Sequence, residues 1–154
     1  MVVYRIAKDR YISDLSGAGA RLNGGRWNHA GIAMVYTSPS RALATVEYLV
    51  HCPFGIAPKN LRIATVEIPG DFVSNQVEAS DLPEKWRHFP APPELADTGS
   101  HWALSNQSLA LRVPSAAVDH EYNILLNPIH PDMERVKIVE IQPYTFADRL
   151  VRAT

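Results

Sequence analysis

The pattern of apolar and polar positions predicts short strands along most of the chain, with one clear helix in its first third. Val2 to Ile6 is rich in β-branched and aromatic residues and reads as a strand, and Ile32 to Thr37 reads as a second. The stretch between them, Ser16 to Gly31, carries Gly17, Gly19, Gly24, Gly25 and Gly31, a density that predicts a loop. Ser38 then stands as a helix N-cap with Pro39 behind it. Leu43, Val46, Leu49 and Val50 follow at helical spacing until Pro53 ends the segment. Leu61 to Ile68 reads as a strand closed by the turn Pro69-Gly70.

Further along, Asp81 and Glu84 have capping-box spacing and predict a short helix from Leu82 to about Phe89. Pro90, Pro92 and Pro93 predict an extended segment after it, and Gly99 to Ser105 predicts another helix. Leu109 to Val113, Tyr122 to Leu126 and Val136 to Ile141 read as strands. Strands outnumber helices and no βαβ rhythm appears. The expected class is α+β, a mostly antiparallel mixed sheet with short helices.

Length and charge narrow the function classes. The 154 residues suit one domain, 1–154. A formal net charge of −1 supplies no basic field for a phosphate backbone, so direct nucleic-acid binding is not expected. With one cysteine, Cys52, the chain cannot form an internal disulfide, which fits a reducing compartment. The N-terminus lacks the pattern of a signal peptide, and no apolar run is long enough to span a bilayer. The expectation is a soluble cytoplasmic protein without membrane attachment.

The candidate chemistry concentrates in a few places. Gly24-Gly25-Arg26-Trp27-Asn28 combines glycines that let backbone approach a ligand with an arginine suited to phosphate or carboxylate. A plain glycine turn with a solvent arginine and a buried tryptophan is the competing reading. The segment is neither a P-loop nor a dinucleotide-fold fingerprint. Tyr36 ends a strand, where it serves either as a core aromatic or as a stacking platform with a hydroxyl. Glu47 shares a helix face with Leu43 and Val50, which sets a carboxylate beside an apolar strip. It either pairs structurally, with Arg26 as the candidate partner, or belongs to a site. Ser115, after Val113-Pro114, stabilises a turn or bonds a ligand sugar. The six histidines form no helical pair or Cys/His cluster, so no metal is expected. Cys52 reads as a small buried residue rather than a nucleophile.

Taken together, these segments resemble the RES domain, the toxin half of Xre–RES toxin–antitoxin pairs. The likeness runs through Tyr4-Arg5-Ile6, Gly17-Ala18-Gly19-Ala20, Gly24-Gly25-Arg26-Trp27-Asn28 and Val35-Tyr36-Thr37-Ser38 to Glu47 and His51. It resumes at Leu111-Arg112-Val113-Pro114-Ser115-Ala116 and continues through Asn123, Leu126-Asn127-Pro128 and His130-Pro131. The order and spacing of the motifs carry it; no single motif does. The resemblance implies an ADP-ribosyltransferase-like fold with a central cleft. The family's arginine, glutamate and serine fall on Arg26, Glu47 and Ser115, with Tyr36 as a fourth site residue. Glu67, Glu78 and Glu121 are rival acids, and Arg5 and Arg21 rival arginines.

The implied activity is depletion of NAD⁺ by cleavage of the nicotinamide–ribose bond, with NAD⁺ consumed as substrate and neither a true cofactor nor a metal required. In this reading Glu47 supports the positive charge that develops on the sugar and Arg26 binds the pyrophosphate. Tyr36 stacks on nicotinamide or ribose, and Ser115 bonds a ribose hydroxyl. Transfer of ADP-ribose to a specific protein uses the same first half of the chemistry. A non-catalytic partner-binding module is the alternative from another class. The implied partners are a cognate Xre-family antitoxin and, in a homodimer, a second copy of the chain.

Overall fold

The computed structural model describes residues 1–53 and 55–151. Among these residues seven strands divide between two sheets, in an α+β arrangement with short helices. In the first sheet β1 (Val2–Lys8) and β7 (Lys137–Tyr144) flank β3 (Leu61–Glu67), all antiparallel, with an irregularity between Thr65 and Val66. The second sheet runs β2 (Val35–Thr37), β6 (Tyr122–Leu126), β5 (Ala110–Pro114) and β4 (Ser74–Gln76). Its pairings are antiparallel except β4 with β5, which is parallel. Tyr4 and Ser38 exchange two backbone hydrogen bonds, of 2.8 and 3.0 Å, and so stitch β1 to the end of β2.

Period-two alternation places the core. Val3, Ala64 and Val66 of the first sheet pack with Ala110, Ile124 and Leu126 of the second. The opposite face of the second sheet carries Leu111, Val113 and Leu125, which meet Trp27, Leu95 and Trp102. The last two belong to the long helix α3 (Pro93–Ser105). Being covered on both sides, β5 and β6 read as nearly continuous apolar runs rather than alternating ones.

Several elements differ from the sequence expectation. The stretch 16–31 contains a short helix, α1 (Ala18–Asn23), bounded by Gly17 and Gly24, both at positive φ. The glycines thus end a helix that their number alone seemed to forbid. Only Val35 to Thr37 of the expected strand 32–37 pairs, and the cap of α2 (Arg41–Leu49) is Ser40, not Ser38. The Ser40 hydroxyl accepts from the Leu43 amide at 3.0 Å, while the Ser38 hydroxyl is used elsewhere.

No helix forms over 82–89. A single 3-10 turn, Ala79–Asp81, precedes successive turns and bends, and the Trp86 and His88 carbonyls accept from Arg26. The helix expected from Gly99 begins six residues earlier, with Pro93 in its first turn, where a missing N–H is harmless. The strand β4, the 3-10 turn Pro131–Arg135 and the final helix α4 (Asp148–Val151) gave no signal in the apolar pattern.

Candidate functional site

A cavity of about 610 Å³ opens between β1, the glycine segment, α2 and the β5–β6 turn. That volume lies within the range of small-molecule sites, roughly 300–1,000 Å³. Arg26, Tyr36 and Glu47 line it, and so do Arg5, Tyr48 and Asn123.

The floor of the site is the Gly24-Gly25-Arg26-Trp27-Asn28 turn, fastened from three sides. Trp27 is buried at 3% exposure in the second core cluster, as its plain reading expected. Asn28 is buried too, and its amide nitrogen donates to the Ala20 carbonyl at 2.8 Å and the Ile32 carbonyl at 3.0 Å. The Tyr36 hydroxyl donates to Asn28 Oδ1 at 2.6 Å and accepts from the Trp27 amide at 3.1 Å. From outside, α3 presses on the turn through Gly99, where a Cβ would fall 1.8 Å from the Trp27 carbonyl oxygen. Ser100 Oγ accepts from the His29 amide at 2.9 Å. At Gly25 a Cβ would come within 2.7 Å of the Tyr36 hydroxyl, so this position needs glycine for space.

Tyr36 therefore holds the turn with its hydroxyl and offers the cavity its ring. Burial pushes its phenol up to about 12, against the opposing pull of the Trp27 amide and Arg26. Its hydroxyl is protonated throughout the physiological range.

Glu47 and Arg26 do not form the ion pair that the sequence suggested. Arg26 Nη1 donates to the backbone carbonyls of Trp86 at 2.7 Å and His88 at 3.2 Å. Glu47 Oε1 instead accepts from Ser115 Oγ at 2.6 Å and Asn123 Nδ2 at 2.7 Å. Two neutral donors, one from the β5–β6 turn and one from β6, hold Oε1 of the carboxylate and leave the arginine free of it. The residues still feel one another: burial lowers the Arg26 pKa, while the charge of Glu47 and the nearby Tyr36 act to raise it.

The position of Ser115 also corrects its expected role. At 2% exposure it is buried behind the cavity wall, where its hydroxyl accepts from the amides of Ala117 at 3.1 Å and Val118 at 3.0 Å. Its hydroxyl shapes the β5–β6 turn, one of its two expected roles, and gives its single proton to Glu47 in place of a ligand sugar. No capacity is left for a ribose hydroxyl.

Asn123 was legible only as part of a motif, yet it is the second holder of Glu47. Ser38 Oγ donates to Asn123 Oδ1 at 2.7 Å, which turns the amide nitrogen toward the carboxylate. Glu47 Oε1 is thus doubly bonded, and Oε2 accepts no hydrogen bond from the described residues. Because no buried side-chain oxygen among the described residues lacks a partner, Oε2 retains solvent access, on a residue that lines the cavity. The result is a carboxylate with one fixed oxygen and one free to meet a ligand.

Among the described residues, no group of three His, Cys, Asp or Glu side chains is placed to hold a metal ion. The Cys52 thiol is half-buried and donates to the Tyr48 carbonyl at 3.3 Å, with its pKa raised by burial. None of the described helices is long and apolar enough to cross a membrane.

The RES domain family model matches residues 2–147. A Prs ADP-ribosylating toxin from Sphingobium sp. (strain YBL2) is 39% identical over 154 residues, covering 97% of this chain and 96% of the relative. Toxin Res from Yersinia enterocolitica is 38% identical over 148 residues, with 96% of each chain covered. Among solved structures, a chain of the M. tuberculosis MbcT–MbcA toxin–antitoxin complex superposes with a TM-score of 0.68 at 18% identity. That likeness covers 99% of this chain and 89% of the other, and it is one of fold.

Proposed function

The chain belongs to the RES domain family, and from that premise we propose that it is the toxin of a toxin–antitoxin pair, an enzyme that cleaves the nicotinamide–ribose bond of NAD⁺. The observation that carries this reading is the Glu47 carboxylate, held at Oε1 by Ser115 and Asn123 with Oε2 left open beside the cavity.

In this mechanism the bond between the ribose anomeric carbon and the nicotinamide nitrogen breaks, and its electron pair leaves with the nicotinamide. Positive charge develops on the sugar, as in glycoside hydrolysis. A carboxylate already fixed in place stabilises that charge without reorganising at the moment of reaction, and this is the role of Glu47. Arg26, anchored through Nη1, turns the rest of its fork to the pyrophosphate. The Tyr36 ring lines the space for the nicotinamide or its ribose. Water attacks the anomeric carbon, loses a proton and yields ADP-ribose.

A second reading keeps the bond cleavage and replaces water with a side chain of a target protein. It is favoured by the relative named as a Prs ADP-ribosylating toxin. NAD⁺ labelled in its adenylate half distinguishes the two. Release of free labelled ADP-ribose supports hydrolysis, and label retained on protein supports transfer. Glu47→Gln should abolish both. If the folded wild-type chain releases no nicotinamide in either assay, bond cleavage is wrong. The cognate antitoxin, of the Xre family in this reading, should restore growth and NAD⁺ levels when co-expressed.

A further inference from the structure

We propose that Tyr48, backed by Phe146, is a stacking platform for one base ring of the ligand, and that the segment following β7 acts on the site through that contact. The proposal rests on the dinucleotide reading of the site and deepens it.

Ala44, Glu47, Tyr48 and His51 all line the cavity, at spacings that place them along one face of α2 and the turn after it. Tyr48 therefore stands beside the carboxylate on the cavity side of the helix. Helical side chains lean toward the N-terminus, so its ring lies over the turn that carries Ala44, whose single methyl group adds little bulk there. Phe146, which does not line the cavity, packs against this ring with centroids 6.0 Å apart and planes inclined by 35°. Phe146 is itself buried, at 9% exposure, and meets Tyr144 edge-on with centroids 5.2 Å apart. The Tyr144 and Thr45 hydroxyls share a hydrogen bond, which ties the end of β7 back to α2. A buried ring thus braces a half-buried one at the cavity wall, within the distances over which aromatic pairs attract.

Four aromatic side chains among the described residues line the cavity: Tyr4, Trp27, Tyr36 and Tyr48. Trp27 is buried in the second core cluster. The Arg41 guanidinium lies 5.6 Å from the centre of the Tyr4 ring. Tyr36 is tied through its hydroxyl to Asn28 and the Trp27 amide. The Tyr48 hydroxyl makes no hydrogen bond to the described residues, and no buried side-chain oxygen among them lacks a partner, so it keeps solvent access. Tyr48 is therefore the aromatic that is braced at its flank and open at its tip. A dinucleotide brings two base rings, and Tyr36 can serve one of them. Every base has a π-face that stacks on an aromatic side chain. Because Phe146 fixes the Tyr48 ring beforehand, little side-chain freedom is lost when a base stacks on it.

The test is calorimetric titration of the whole chain with AMP, nicotinamide and ribose 5-phosphate, which has no base. Tyr48→Leu should weaken AMP or nicotinamide by about tenfold, and the ligand that responds identifies the ring that stacks. Tyr48→Phe should bind as wild type does. Phe146→Leu should show the same selective loss to a smaller degree, and ribose 5-phosphate should be indifferent to all three variants. An equal loss for ribose 5-phosphate, or no loss for either ligand that carries a base, would overturn the platform. Should Tyr48→Leu fail to fold, carbon NMR of wild type labelled in its tyrosine rings decides, with the Tyr48 signal assigned through Tyr48→Phe. AMP or nicotinamide should move that signal by its ring current and ribose 5-phosphate should not; a Tyr48 signal that ignores both bases sinks the idea. A chain that stacks a base on Tyr48 but releases no nicotinamide from NAD⁺ keeps the platform and loses the cleavage reading. A chain that cleaves NAD⁺ with an unchanged KM in Tyr48→Leu keeps the cleavage and loses the platform.

Discussion

The Ser115 hydroxyl donates a 2.6 Å hydrogen bond to Glu47 Oε1, joining the β5–β6 turn to the last turn of α2 across 68 positions of sequence. Ser115 is buried and is not among the residues that line the cavity, and we propose that it acts through Glu47 as a positioning residue. A hydrogen bond to a charged group contributes about 1.5–3 kcal/mol. Ser115→Ala should therefore lower NAD⁺ turnover roughly 10–100-fold if that bond is realised in the transition state. Because the serine works through the carboxylate, adding Ser115→Ala to Glu47→Gln should cost little more than Glu47→Gln alone. Additive losses in steady-state kinetics would assign Ser115 an independent role.

Tyr36 predicts a stability change at high pH. Its phenol titrates near 10 in the unfolded chain and is pushed up to about 12 in the folded one. Below pH 10 both states are neutral and the full contribution is present. As pH rises from 10 to 12 the unfolded chain releases its proton first, and stability falls through that window. The loss attributable to this residue is about 2–3 kcal/mol. Denaturant titrations from pH 9 to 12 should show a smaller decline for Tyr36→Phe than for wild type. At neutral pH the same variant should be less stable by about 1–3 kcal/mol, because Asn28 Oδ1 and the Trp27 amide lose their partner.

Two glycines should respond in opposite directions. Gly99→Ala would drive a methyl group into the Trp27 carbonyl, and either α3 or the site turn must move. A loss of about 3 kcal/mol is expected, together with weaker NAD⁺ binding, since the displaced turn carries Arg26. Gly19→Ala meets nothing within 4 Å and lies inside α1, so it should stabilise the chain by up to about 1 kcal/mol. Thermal melts of the two variants check both signs, and a harmless Gly99→Ala would mean that α3 does not brace the turn.

The parts of this protein that were legible in its sequence are those fixed by local pattern. The strands around Val3, Ile63 and Ile124 follow from β-branched residues, and β5 was legible as a strand from the apolar residues on either side of Arg112. Arg26, Tyr36 and Glu47 were legible as candidates because motif order marked them, and they do meet at one cavity. Their bonding was not legible. Whether Glu47 pairs with Arg26 or with Ser115 and Asn123 depends on how two sheets dock, and no local spacing encodes that. The roles of Asn28, Asn123 and Gly99 were missed for the same reason: an amide or a glycine gains its meaning from a partner on another element. The region 82–89 failed differently: its backbone bonds close single turns, from the Trp86 amide to the Pro83 carbonyl and from the His88 amide to the Lys85 carbonyl, and no local signal marked the Trp86 and His88 carbonyls as partners of Arg26.

Asn123 offers the sharpest test of how Glu47 is held. Its amide nitrogen lies 2.7 Å from Glu47 Oε1, with Ser38 bonded to its oxygen. Asn123→Asp keeps the shape and the Ser38 contact, but it replaces a donor with a second carboxylate. Two carboxylates so close cannot both ionise easily, so the pair shares a proton over a range in which a lone carboxylate would be charged. The acid limb of the kcat/KM profile should move upward by about one pH unit or more, with activity partly recovered on the alkaline side. Asn123→Ala should instead lower activity at every pH, because it removes a donor without adding a charge. If Asn123→Asp depresses the whole profile and leaves the acid limb in place, the asparagine serves packing and does not hold the carboxylate.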